Sequence, residues 1–326
     1  TANILPGMIM RIERTGENII IDTVPSATSV TATRAVGTVA AAAILDNDDF
    51  YQVGNAFEES SDRPNPNNII PVRVTNLTQI FRNTWAISGS ANATEVIAGD
   101  STDAENRQDC AALHAADIEK ALFFGQKSSG TRNGQPFRTM NGLVNMIEDP
   151  TFYPASYGGA VNSFTAGATT NYTQLQGFLD PVFDQTTDPK GARERVLFVG
   201  GAAKVVINNI GRLNGEYNLV DGQTNFGLEF STLTMPRGKF RIVEHPLLNT
   251  NSVWAKMAIA VDLPTFRLAY LAGRKTQNKE FNTSGNIASD NGIDAVGGTL
   301  TTELTTTVKN TPANAVIRNL TAAAVG

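Results

Sequence analysis

The chain has 326 residues, 41% hydrophobic and 17% charged, which fits a folded protein of two or three compact units. With 31 Asp and Glu against 26 Lys and Arg it has no field to draw in a nucleic-acid backbone, so any contact with DNA is expected to be non-specific. A single cysteine, Cys110, excludes an internal disulfide framework and a cysteine-cage zinc site, and two histidines cannot complete a histidine-rich one; no metal or other cofactor is expected.

The longest apolar run, residues 36–45, is about half of what a membrane-spanning helix needs, and no membrane partner is expected. No basic-then-apolar segment opens the chain, so the expectation is a soluble protein made in a cytoplasm. The first residue is Thr1 rather than Met, which initiator removal, proteolytic maturation or trimming would each explain.

Residues 8–53 read as short strands. Met8, Met10 and Ile12 alternate with polar neighbours, Thr15 to Asn18 turn the chain, and Ile19 and Ile21 resume the alternation. Residues 30–34 and 50–53 supply a third and a fourth strand of a small β module. Pro64, Pro66 and Pro71 then block helix and central strand over residues 60–71 and mark an extended connection. Residues 72–74 and 85–88 read as strand-like. A helix over 103–126 follows, with Asp103 and Glu105 near its positive end. Ala111, Ala115, Ile118, Ala121, Leu122 and Gly125 give it a small-residue stripe suited to close packing, and a Gly and Ser-rich segment ends it.

Leu175, Phe178, Leu179, Val182 and Phe183 fit an amphipathic helix over 173–185, kinked at Pro181. An apolar strand over 195–199, a Gly200-Gly201 turn and a helix facing inward with Ala203, Val206, Ile207, Ile210 and Leu213 form a strand-helix unit. Strands are expected over 226–235, 240–244, 253–261 and 265–271, with Pro236, Arg237 and Gly238 turning one pair. In the Thr, Asn and Gly-rich tail, Leu300, Thr302, Leu304, Thr306 and Val308 form one long alternating strand with no obvious local partner. The fold class is α+β.

Four groups of residues imitate chemistry. Cys110, His114 and Asp117 lie at i, i+4 and i+7 of one helix, like a nucleophile, base and orienter; but catalytic trios converge from separate elements, and this face also carries the apolar stripe, so packing is expected. The turn at Gly200, Gly201 and Lys204 resembles a phosphate-binding strand-to-helix turn without its third glycine or its terminal Gly-Lys-Ser/Thr. Asp46, Asn47, Asp48 and Asp49 could offer oxygens to calcium, yet Phe50 and Tyr51 stand where a ligand and a glycine belong. Glu58 and Glu59 are adjacent and point to opposite sides of an extended segment. The Asn-X-Ser/Thr sequons at Asn76 and Asn171 carry little weight. No catalytic, cofactor or metal residue is assigned, and no enzyme is expected.

Ordered motifs carry a resemblance across about residues 55–276: Asn76, Thr78, Gln79, Ile80 and Phe81; Ile118, Glu119 and Gly125 on the long helix; and Arg138, Met140, Gly142 and Leu143. Together they resemble the major capsid proteins of tailed double-stranded DNA phages. The resemblance implies the Hong Kong 97-type capsid fold. Residues 1–71 would be an extended loop with an inserted β module, and 72–165 a peripheral domain with spine helix 103–126. Residues 166–262 would be an axial domain, and 263–326 return strands and tail. Family members have an arm before this loop, whereas Thr1 begins almost inside it. The implied function is a shell subunit forming hexamers and pentamers around DNA in a virion assembled in the host cytoplasm, with portal and decoration or cement proteins as partners. The alternatives are an encapsulin-like shell and a β-rich adhesion protein.

Overall fold

A computed structural model describes residues 4–26, 28–64, 66, 73–94, 102–153, 160–184, 193–213, 232–281 and 295–323. The chain divides into two compact units, Thr1–Val72 and Arg73–Gly326.

In the first unit β1 (Met8–Ile12), β2 (Asn18–Ser26), β3 (Ser29–Thr33) and β4 (Phe50–Asn55) form one antiparallel sheet in the order β3-β2-β1-β4. Alternation puts Met10, Ile12, Ile19 and Ile21 on one face, where they are the buried core. Gly16 closes the β1–β2 turn at φ +71, a conformation open to glycine at no steric cost. So small a core needs other ties. Glu17 is fully buried and receives Nε and Nη2 of Arg34 at 2.7 and 2.6 Å and the N–H groups of Ala35 and Ala42 at 3.0 and 3.2 Å. Arg14 grips Asp48 in the same bidentate way, at 2.7 and 2.9 Å. These two pairs hold the irregular stretch between β3 and β4 to the sheet.

The second unit contains β5 (Gln79–Ser88), α1 (Gly89–Asn92), α2 (Thr102–Phe124), β6 (Ser128–Arg132), β7 (Gln135–Thr139), α3 (Leu143–Glu148), β8 (Ser163–Thr165) and α4 (Tyr172–Leu179). It continues with β9 (Glu194–Val199), α5 (Gly201–Leu213), β10 (Thr232–Met235), β11 (Gly238–Glu244), β12 (Ala258–Val261), β13 (Phe266–Tyr270), β14 (Gln277–Phe281), β15 (Ala295–Val308) and β16 (Ala315–Arg318). The architecture is α+β, as expected. A six-stranded sheet, β10-β11-β9-β12-β16-β8, is buried on both faces at its centre, in β12 and β16, while β10 and β11 expose one face. Leu197, Val199, Ala260 and Ile317 face α4 and α5, while Phe198, Ile259, Val261 and Val316 face α3 and the end of α2. The amphipathic pattern at Leu175, Phe178, Leu179, Val182 and Phe183 packs against this core, as its spacing predicts.

Several elements depart from expectation. The tail strand is not short of partners. β15 pairs β14 over 297–301 and β13 over 304–308 along one edge, and β5 over 295–304 along the other. Its longest pairing is with residues more than 200 positions earlier, beyond any local pattern. On α2 the stripe packs inward at Ile118, Ala121 and Leu122, but Ala111 and Ala115 are exposed, and Cys110 and His114 are buried instead. Leu213, expected inward, is 46% exposed at the end of α5. Residues 73–74 form no strand, which starts at Gln79. Only Ala258–Val261 of the 253–261 segment is strand, because the Asn251 side chain takes the Val253 and Trp254 N–H groups and starts a short 3-10 turn. Helix α4 ends at Leu179, and Pro181 opens a 3-10 turn over Asp180–Phe183. The segment after α2 is the hairpin β6–β7. Val72, Gln185 and residues 226–231 lie outside the described residues.

Arg34 holds the Glu17 carboxyl at about 2, down from 4.5, against an opposing push from burial and with help from the two N–H groups. A carboxyl lowered on folding contributes stability that is complete above 4.5 and is lost as pH falls toward about 2. Unfolding of the intact chain followed across that window should show this loss, and Glu17→Gln should flatten it. An unchanged slope in the variant would contradict the assignment.

Candidate functional site: the helix–sheet junction

Nine of the twelve motif residues converge where α2 ends. Asn76 Nδ2 lies 3.0 Å from the Asn141 and Thr306 carbonyls, and its Oδ1 receives the Asn141 N–H at 2.8 Å. Thr78 donates to Glu303 at 2.8 Å, and Gln79 Oε1 receives the Met140 N–H at 3.1 Å. Phe81, Met140 and Leu304 form a small core against Ile118, Ala121 and Leu122 of α2. Gly142 donates to the Gly125 carbonyl at 2.8 Å. A Cβ on Gly142 would sit 2.6 Å from Gly125 N and 2.8 Å from Ala121 O, and one on Gly125 would sit 2.5 Å from Ala121 O. The two glycines are required by backbone contact. Leu143 is buried beneath them, whereas Ile80 and Arg138 are exposed. Glu119 reaches from α2 to His245 Nε2 at 3.0 Å; His245 Nδ1 accepts the Leu247 N–H, which leaves the proton on Nε2.

One turn back along α2 from Ile118, the buried His114 ring lies between β5 and β15. Its Nδ1 is 2.7 Å from Asn83 Oδ1 and its Nε2 2.8 Å from the Thr302 hydroxyl. Asn83 Nδ2 donates to Asp117 at 3.1 Å, so Oδ1 faces the ring and Nδ1 carries the proton. Burial lowers the His114 pKa below 6.5, which the Asp117 charge only partly offsets. Burial also raises the Cys110 thiol above its ordinary value, so it is the reverse of an activated thiolate. The helical trio is therefore a packing and hydrogen-bonding set: Cys110 and His114 point inward, and exposed Asp117 meets the ring only through Asn83.

Comparison with known proteins agrees with these motifs over nearly the whole chain. The family model described as SU10 major capsid protein matches residues 8–321. The major capsid protein of Pseudomonas phage PaMx41 is 34% identical over 322 residues, covering 96% of this chain and 75% of that one. The chain belongs to the SU10 major capsid protein family. Among solved structures, it is similar to the satellite phage P4 procapsid with size determination protein (TM-score 0.47, 11% identity, 87% of this chain and 83% of that one). It is also similar to the cyanophage Pam1 capsid (TM-score 0.45, 14% identity, 82% of each chain). The holo-SrpI encapsulin complex of Synechococcus elongatus PCC 7942 has a TM-score of 0.46 at 9% identity, over 84% of this chain and 78% of that one.

The remaining candidates in this SU10-family chain have structural roles. Gly201 N–H, which a phosphate would need, donates to Asn249 at 2.6 Å, and Glu244 takes both Asn249 and Lys204. A carboxylate where an anion would bind makes this a plain turn. Asp48 is taken by Arg14, and Asn47 turns the chain at φ +67. Among the described residues no group of three or more His, Cys, Asp or Glu could hold a metal ion, and no helix is long and apolar enough to cross a membrane. Glu58 and Glu59 are exposed on coil. The Asn76 amide is engaged as above, and Asn171 caps α4. Sequence inspection missed the Glu17–Arg34 pair, whose only signal was an acid inside an apolar hairpin.

Gly142→Ala should destabilise the chain by about 2 kcal/mol, since its Cβ meets backbone that cannot rotate away; a urea midpoint equal to wild type would refute this. An imidazole NMR titration should place the His114 midpoint below 6.5. The unfolded chain then takes up a proton that the folded one resists, so this contribution to stability is present above pH 6.5 and falls below it. A midpoint at or above 6.5 would show that the ring is not held neutral.

Proposed function

We propose that this SU10-family chain is the shell-forming subunit of an icosahedral phage head. Its copies join by heterologous contacts into hexamers and pentamers of the Hong Kong 97 type around double-stranded DNA. In this reading residues 1–71 are the extended loop with its β module, and 72–165 the peripheral domain with α2 as spine. Residues 166–262 are the axial domain, and 263–326 return strands and tail. The observation that carries it is the family match over residues 8–321, with the family's motifs packed as backbone junctions around α2. Cys110, raised and buried, and His114, neutral and fully partnered, support a role without catalysis. The virion is the destination, with assembly in the host cytoplasm, and portal and decoration proteins are the other partners. Packaged DNA is held non-specifically.

Negative-stain microscopy of the expressed chain tests this. Uniform hollow particles, rings of five or six, or tubes are expected. A dispersed monomer under all assembly conditions would overturn the reading, and particles that enclose a cargo protein in place of DNA would replace it with an enzyme-housing shell.

A further inference from the structure

The hairpin β6–β7 is fully exposed apart from Thr139. Two strands alone are marginal in water, although Asn133 at φ 52 and Gly134 at φ 74 give this pair a favoured tight turn. Residues 127–139 hold Lys127, Arg132 and Arg138 and no carboxylate. Phe137 lies opposite Gly130 and is 41% exposed. Arg132 and Gln135 close the turn, so Pro136, one pair further on, turns its ring nitrogen outward and blunts the β7 edge. The β6 edge keeps its outward N–H groups.

The β module offers the complement. Strand β4 pairs only β1 and is the last strand on that side of the described sheet. It carries Tyr51 at 56% and Val53 at 54% exposure beside exposed Phe50 and Phe57. Asp46 and Asp49 lie just before it and Glu58, Glu59 and Asp62 just after; all are exposed and make no ion pair among the described residues. Residues 1–72 contain nine Asp and Glu against four Arg and no Lys, so the chain's net charge of −5 resides there and residues 73–326 are balanced.

We infer that the β6–β7 hairpin of one copy docks on the β4 edge of a second copy. Strand β6 extends the sheet, Phe137 covers the Tyr51 and Val53 patch, and Arg132 and Arg138, on the two faces of the hairpin, meet the acids that flank β4, while Lys127 stays on the Thr75 carbonyl of its own copy at 2.6 Å. A contact between two different patches of successive copies is the kind that closes rings. The inference rests on the shell-building reading.

The test uses Arg132→Glu with Arg138→Glu in one variant and Asp46→Lys with Asp49→Lys in another, with particle formation followed by light scattering and microscopy. Each variant alone should need about tenfold more protein to assemble, because like charges now meet. An equimolar mixture should recover six-membered rings, where alternating variants give each hairpin an opposite module, and a chain carrying all four changes should recover rings of five as well. Single variants that assemble at the wild-type concentration would overturn the docking and leave the shell reading intact. Recovery only in the fourfold chain would put the contact within one molecule and overturn it too. Hairpin variants that assemble normally but lose packaged DNA would assign the hairpin to nucleic acid instead. Failure of the wild type to form particles would overturn the shell reading itself.

Discussion

Strand β15 is hydrogen-bonded along both edges, by β5 on one side and by β14 then β13 on the other. A 14-residue strand so enclosed cannot shift register by one residue without turning Thr302, Leu304 and Thr306 away from α2 and leaving the His114 ring without its hydroxyl. The same segment continues through a short 3-10 turn at Thr311–Ala313 into β16, which lies between β12 and β8 in the other sheet. Residues 295–318 therefore run through the two larger sheets of the second unit. Helix α2 takes its place from β5 and β15 on one side and from the second core, through Phe123 and Phe124, on the other.

The family motifs carry no chemistry of their own and mark where backbone meets backbone. Gly125 and Gly142 let the end of α2 approach the start of α3 closer than any Cβ allows. Asn76 stands in for a strand partner: its side chain bonds Asn141 and Thr306 where the chain enters the sheet without yet being strand. The Asn145 side chain adds a bond to the Gly125 carbonyl at 2.5 Å. Each buried polar group at this junction has a partner far away in sequence, which fixes one angle between helix and sheet. In a closed shell such an angle is repeated in every copy, so precision at the junction is of more use than a reactive group.

Elements with a local cause were legible in the sequence. The β1–β2 alternation, the α4 and α5 periodicities and the apolar β9 each follow from residues within one turn or one pleat, and each is where its spacing predicts. On α2 only Ala111 and Ala115 of the stripe were misplaced, because alanine is as tolerable in water as in a core. Partners 31 and 188 residues distant decide which side His114 seeks, and no window shows them. The β6–β7 hairpin had its Asn133-Gly134 signal, but strands of Ser, Gly, Thr, Gln and Pro have no hydrophobic alternation to announce them. The motif residues were visible as a set, whereas their convergence at one junction depends on β15 finding β5 and could be known only from the fold.

The free edges of the sheets differ in a way that bears on assembly. An open edge invites any extended chain unless it is short, charged or polar. Among the described residues, β8 has three residues and β10 four, β14 carries Lys279 and Glu280 between Gln277 and Phe281, and β3 is largely Ser and Thr. Strand β4 joins length to exposed apolar side chains in Phe50, Tyr51 and Val53, as β13 does in Leu268 and Tyr270, but only β4 is flanked by unpaired acids on both sides among the described residues. Its acidic flanks repel a second β4 edge from another copy, so self-pairing of like edges, which leads to open aggregates, is disfavoured. A basic strand is the partner that this edge admits. Selectivity of this kind lets each contact stay weak, since a shell gains its stability from many copies of the same modest contact and can still correct a misplaced subunit.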